Sequence, residues 1–182
     1  MNKVVLGFSG PVGSGKSEVA KGLSAKLGWP RIGFGDHVRS LAAERKLEPT
    51  REVLQNIGES EVSGNCENFC RSVLLRGSWS PDKSVIIDGV RHLAVIETIT
   101  KITQPSQFLL IYLDISDLVQ AGRLAKRGVS PKELKTLESH STEIQVKVEI
   151  KKRADFLLST EGSVSDAVDA VLAWLRTQKY LN

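Results

Sequence analysis

Eight consecutive residues, Gly10-Pro11-Val12-Gly13-Ser14-Gly15-Lys16-Ser17, combine the residue types needed to hold a chain of phosphates. They follow the pattern G-x-x-x-x-G-K-[ST] of a phosphate-binding loop. Gly10, Gly13 and Gly15 let the backbone turn with its N–H groups pointing inward and no Cβ in the way. Val12 and Ser14 add amides to the same cradle. Lys16 is expected to reach the β and γ phosphates of ATP, and Ser17 to ligate Mg²⁺ through its hydroxyl.

Such a loop works only when a strand delivers it and a helix receives it. Lys3 to Phe8 is short, apolar and β-branched, as a buried parallel strand is. From Glu18 to Leu27, Val19, Leu23 and Leu27 recur every four residues and predict a helix with one apolar face. Further along, Trp29 to Phe34 reads as a short extended piece, and Asp36 as the N-cap of a helix bearing Val38, Leu41 and Ala42 inward. Thr50 caps the next helix, which is expected to stop at Gly58. Residues 59 to 65 read as polar loop, and Phe69, Val73 and Leu74 mark another helix ending near Gly77. Val85 to Asp88 is a second buried strand, with a carboxylate at the end where parallel sheets place their ligands. Leu93 to Ile102 is helical, Phe108 to Leu113 is a strand, and Ser116 caps a helix from Asp117 to Arg127. Ser130-Pro131 opens another helix, one more capped by Ser141 or Thr142 runs to about Ala154, and Phe156 to Leu158 is the last strand before a helix from Val164. Strands alternating with helices imply a parallel sheet covered on both faces.

Composition sets the class. The chain has 182 residues and a net charge of +4, enough for one domain with a sizeable core. No apolar run is long enough to span a membrane, and the first strand begins without a signal peptide, so a cytoplasmic protein is expected. The mild positive charge suits phosphorylated small molecules, and no basic stripe marks a nucleic-acid surface. Cys66 and Cys70 lie four apart on a predicted helix, poor geometry for a disulfide, and read as reduced thiols. His140 reads as a structural hydrogen-bonding residue, Trp29 and Trp174 as packing residues, and Trp79 as packing or pocket-lining.

Several segments taken in order resemble the nucleoside monophosphate kinases of the adenylate-kinase type. They are the phosphate loop, Gly35-Asp36-His37-Val38-Arg39, Asp88-Gly89-Val90-Arg91, and Arg123-Leu124-Ala125-Lys126-Arg127. Thr50 to Gly58, matching T-x-x-x-L-Q-x-x-G, and His140-Ser141-Thr142-Glu143 are similar to phage-type deoxynucleoside monophosphate kinases and dephospho-CoA-kinase-like proteins. The stretch from Arg127 to Glu143 has no room for the long lid of adenylate kinase, and the R-x-D-D signature is absent.

The resemblance implies ATP and Mg²⁺ as cofactors and gives roles to residues. Asp88 holds Mg²⁺ through water and borders the acceptor, with a turn cap as the other reading. Arg39 and Arg91 grip the acceptor phosphate, against surface ion pairs. Arg123 and Arg127, four apart on one helix face, close over the triphosphate as catalytic lid residues, against a solvated face. Asp36 either orients the acceptor as a base or only caps its helix. Gln55 offers donor and acceptor to a base edge, or merely caps a surface.

The expected fold is therefore α/β, a three-layer α/β/α P-loop NTP hydrolase fold with a five-stranded parallel sheet. The core comprises 1–35, 81–119 and 154–182, with an inserted helical acceptor-binding region at 36–80 and a short lid at 120–153. The expected activity is ATP- and Mg²⁺-dependent phosphorylation of a nucleoside or deoxynucleoside monophosphate. A dephospho-CoA-type kinase and a nucleotide-gated regulatory module are the alternatives. Oligomeric state leaves no trace in the sequence.

Overall fold

A computed structural model describes residues 3–139 and 141–181. Five parallel strands form one sheet in the order β2-β3-β1-β4-β5. These are β1 (Val4–Ser9), β2 (Arg31–Gly33), β3 (Val85–Asp88), β4 (Gln107–Asp114) and β5 (Phe156–Ser159). Parallel neighbours require crossovers, and the helices that supply them cover both faces.

The sheet's two-residue period sorts its side chains into two cores. Val5, Ile87 and Leu110 face α2 (Phe34–Glu44), α3 (Arg51–Arg76) and α4 (Leu93–Ile102). Leu6, Ile86 and Ile111 face α1 (Lys16–Leu27) and α8 (Val164–Thr177). Strand register brings the chemistry together. Phe8 and Gly33 both pair with Asp88, so β1, β2 and β3 end side by side. Gly89, at φ 87°, then bends the chain so that its own amide and that of Val90 donate to the Phe8 carbonyl. That turn delivers Arg91 to the same end.

Three sequence expectations need correction. Helix α3 does not stop at Gly58 but runs from Arg51 to Arg76, and residues 59 to 65 are helical. The break falls at Asn65 (φ −155°, ψ 85°), whose Oδ1 accepts from the Asn68 amide and restarts the helix. The polar residues of this stretch lie on its solvent face while Ile57 and Val62 turn to the core. Asp36 is not an N-cap: α2 begins two residues earlier at Phe34, with Gly33 in the capping position. Arg127 lies beyond the helix that carries Arg123, because α5 (Asp117–Ala125) ends first. The helix expected from residue 141 or 142 to about 154 does form, helical through residue 152 with a π-helical turn inside it. After α6 (Pro131–Glu138), α7 (Ser141–Gln145) passes directly into a π-helical turn, Val146–Ile150.

The caps at Thr50 and Ser116 form as their sequence suggests, accepting from the amides of Val53 and Val119. Trp174 stacks on Phe156 with ring centroids 5.0 Å apart, and Trp29 packs in the same core. Trp79 packs on the other core and donates its indole N–H to the Lys83 carbonyl; it does not line the cleft described below. Cys66 and Cys70 are free thiols. His140 lies outside the described residues. No described helix is long and apolar enough to cross a membrane.

Candidate active site

The site starts at the loop between β1 and α1. Gly10, Gly13 and Gly15 adopt φ of 143°, 82° and 87°, the region where a side chain is strained. A Cβ on Gly10 would lie 2.6 Å from the Leu113 carbonyl oxygen, so that position has no room for one. Lys16 folds along its own loop. Its Nζ donates to the carbonyls of Gly10 (2.7 Å) and Pro11 (2.9 Å). Burial pushes the Lys16 ammonium down to about 7; Arg91 adds to that, while Glu143 and Asp88 oppose it.

From this loop a cleft of about 590 Å³ runs across the ends of β1, β3 and β2 toward α2 and α3. Seven Lys and Arg side chains line it against three carboxylates, Glu18, Asp36 and Asp88, so the lining is net cationic and favours anions. Its far wall is apolar, built from Phe34, Val38, Leu54, Phe69 and Val95. Phe34 and Phe69 pack 5.2 Å apart there.

Charges alternate along the floor. The Asp88 carboxylate, 9% exposed, accepts from Arg31 Nη1 at 3.1 Å. Arg31 Nη2 reaches Asp36 Oδ2 at 3.3 Å, and Arg39 Nη1 donates to Asp36 Oδ1 at 3.0 Å. Arg31 thus joins Asp88 to Asp36, which in turn holds Arg39. No motif flagged Arg31; its only sequence signal is its place on the strand beside Asp88.

A second cluster lies under the loop. Glu143 on α7 is 1% exposed at its side chain. Its Oε1 accepts from Arg91 Nη1 and lies 3.9 Å from Arg51 Nη2, and its Oε2 accepts from the Val12 amide at 3.4 Å. Burial works to raise the Glu143 carboxyl, but Arg91, Lys16 and Arg51 outweigh it and hold it below its ordinary range. Arg51 Nε and Gln55 Nε2 are buried and lack a hydrogen-bond partner among the described residues. Both residues line the cleft. Buried donors of this kind ordinarily have acceptors, so a bound guest is the natural supplier. On the loop's outer side, Gln120, also unforeseen, donates to the Val12 carbonyl at 2.8 Å.

The two candidate lid arginines separate. Arg127 lines the cleft. Arg123 does not; its guanidinium sits against the carbonyls of Thr160 (2.5 Å), Gly162 (3.4 Å) and Ser14 (3.5 Å). It therefore ties the loop to the turn after β5.

The two oxygens expected to meet a cation, the Ser17 hydroxyl and the Asp88 carboxylate, both lie on the cleft wall. They are hard donors and fit Mg²⁺, which takes few protein ligands and keeps waters and phosphate oxygens. Among the described residues no group of three or more His, Cys, Asp or Glu could hold a metal by itself, so phosphates must complete such a site.

The sequence and fold have relatives. Residues 6–146 match a family model described as an AAA domain. A UPF0200 protein of Methanothrix thermoacetophila is 32% identical over 126 residues, spanning 69% of this chain and 67% of that protein. Among solved structures, a sugar kinase from Janibacter sp. superposes with a TM-score of 0.60 at 16% identity, over 97% of this chain and 95% of that one. A shikimate kinase from Aquifex aeolicus gives 0.60 at 17% identity, over 97% and 99%. At such identities the likeness is one of fold.

Proposed function

This chain belongs to the AAA domain family, and from that premise we propose that it is an ATP- and Mg²⁺-dependent small-molecule kinase whose acceptor is a nucleoside or deoxynucleoside monophosphate. One observation carries the acceptor class: the cleft that begins at the phosphate loop holds more cations than the loop's own lysine, with Arg51 and Arg91 beside the loop and Arg31 and Arg39 beyond it, and is closed by an apolar wall. A triphosphate accounts for the loop. The remaining guanidiniums suit a second phosphate, and the Phe34–Phe69 wall with the free Gln55 amide suits a flat base with an acceptor atom on its edge.

In this reading Lys16 leaves the loop carbonyls for the phosphates, and the amides of Val12 to Ser17 cradle them with the α1 dipole. Ser17, and Asp88 through water, would hold Mg²⁺, which would supply charge neutralisation for the transferring group. Arg39 and Arg91 hold the acceptor phosphate, while Arg123 braces the loop and Arg127 borders the transferring phosphates. Residues 36–80 form the acceptor-binding region and 120–153 the lid. Asp36 serves as scaffold for Arg31 and Arg39: each of its carboxylate oxygens already accepts from an arginine. A monophosphate oxygen needs no base to attack, whereas a hydroxyl acceptor does.

A hydroxyl acceptor, as in a dephospho-CoA-type or sugar-type kinase, is the second reading, favoured by the fold likeness to a sugar kinase. The test is ADP release from MgATP across a panel: each ribo- and deoxynucleoside monophosphate, dephospho-CoA, gluconate, shikimate, and no acceptor. Strong stimulation by one or two monophosphates is expected. Stimulation by a hydroxyl acceptor alone moves the assignment to the second reading, and acceptor-independent hydrolysis unchanged by every compound removes both in favour of a regulatory module.

A further inference from the structure

Glu143 is the most buried charged group in the cleft region and the one that the kinase reading leaves without a task. It comes from α7, far along the chain, and occupies three partners at once. Its carboxylate accepts the Val12 amide of the phosphate loop, and its other oxygen holds Arg91 with Arg51 close behind. A carboxylate on a loop amide stands where a phosphate oxygen would, since both are anionic acceptors for the same N–H. The same carboxylate neutralises two guanidiniums on the acceptor side of the cleft.

We propose that Glu143 is a positioning residue, an internal anion that a nucleotide's phosphates displace from the Val12 amide, freeing Arg91 and Arg51 for the acceptor. This rests on the reading of the loop as a nucleotide site. Its physical content is a coupling. The nucleotide must work against Glu143, so affinity for nucleotide is lowered by the same factor by which nucleotide raises affinity for the acceptor. The second phosphorylated compound then meets two unpaired guanidiniums only after the first has bound, which favours nucleotide before acceptor. The surroundings let the side chain swing away while its helix stays in place. Its neighbours on α7 anchor elsewhere: Thr142 donates to Glu59 on α3, and Gln145 accepts from the Leu93 amide at the start of α4.

The experiment is calorimetric titration of the full chain with a Mg²⁺ complex of a non-hydrolysable ATP analogue. Glu143→Gln, which keeps size and removes charge, is expected to bind the analogue at least about tenfold tighter than the parent chain. Glu18→Gln removes one carboxylate from the same cleft wall without touching Val12 and is expected to change affinity by less than about threefold. Glu143→Asp keeps the charge but withdraws it by one methylene, and is expected to fall between the parent and Glu143→Gln. It also serves as the test if the Gln variant does not fold. In turnover, Glu143→Gln is expected to lower the apparent KM for MgATP while leaving that for the acceptor at saturating MgATP within about twofold, a split that mere destabilisation does not produce. Unchanged or weaker analogue binding in both Glu143 variants overturns the proposal. So does equal tightening in Glu18→Gln, which would reduce the effect to net charge. A parent chain that does not bind the analogue at all overturns the nucleotide reading instead.

Discussion

At the scale of single residues, the site is governed by where buried charges find partners. Arg39, Asp36, Arg31 and Asp88 form a line of alternating sign in which each member holds the next. Arg39 is its outermost member, 58% exposed, and the side chain with most freedom to meet a guest. Arg39→Ala is therefore expected to raise the acceptor KM by about 10- to 100-fold, the worth of a charge-assisted hydrogen bond, and to leave the KM for MgATP within about twofold. Steady-state kinetics with varied acceptor and varied MgATP separates the two. Glu143 gives the pH dependence. Its carboxyl is held below the ordinary value of 4.5, so the ion pair stabilises the fold fully above that value and loses its contribution as pH falls through the lower folded value. Denaturant unfolding from pH 7 to pH 3 is expected to show the parent chain losing stability relative to Glu143→Gln only below about pH 4.5. A constant difference across the range would contradict the assignment. The phosphate loop could be read directly because its residues are covalent neighbours and its chemistry depends on their spacing. Arg31, Arg51, Gln120 and Glu143 could not, because each reaches the site only through the fold; Val12 and Glu143 are 131 residues apart.

At the scale of elements, two glycines on one helix separate conformation from packing. Gly58 suggests a stop, but it sits inside α3, and a Cβ there would meet nothing within 4 Å. Gly58→Ala is expected to stabilise the chain by about 0.5–1 kcal/mol, because alanine loses less entropy in a helix. Gly77, at the end of the same helix, has an ordinary φ of −85°, yet a Cβ there would lie 2.2 Å from Ile32 Cγ1 on β2. Gly77→Ala is expected to destabilise by about 1–3 kcal/mol through overpacking. Paired urea denaturation curves check both signs. The element boundaries missed in the sequence share one cause. Local signals at Gly58 and Asp36 describe what a short peptide prefers, whereas α3 continues because Ile57, Val62, Phe69 and Val73 keep one face against the core. By contrast, β3 and α4 were legible to the residue, since Val85-Ile86-Ile87 and the apolar period from Leu93 leave no competing conformation.

At the scale of the whole molecule, a parallel sheet brings the ends of β1, β2 and β3 together, and the helices after them deliver opposite walls of one cleft. Fold class and strand count follow from the alternation of apolar runs with amphipathic segments. The chemistry of the cleft's far wall does not, because that wall is assembled from α2, α3 and the start of α4 rather than from any one stretch. A guest that bridges these elements must stabilise the whole domain. At a hundredfold excess over its dissociation constant, MgATP is expected to add about 2.7 kcal/mol and to raise the melting temperature by roughly 5–10 °C. Differential scanning fluorimetry with and without nucleotide measures it. The central claim is that the terminal phosphoryl group of ATP passes to a phosphorylated acceptor and not to water. Phosphorus NMR of a reaction containing MgATP and the stimulating monophosphate reads this directly. The account predicts new diphosphate resonances of the acceptor growing in step with ADP, without free phosphate. Inorganic phosphate as the sole product, with the monophosphate unaltered, would contradict it.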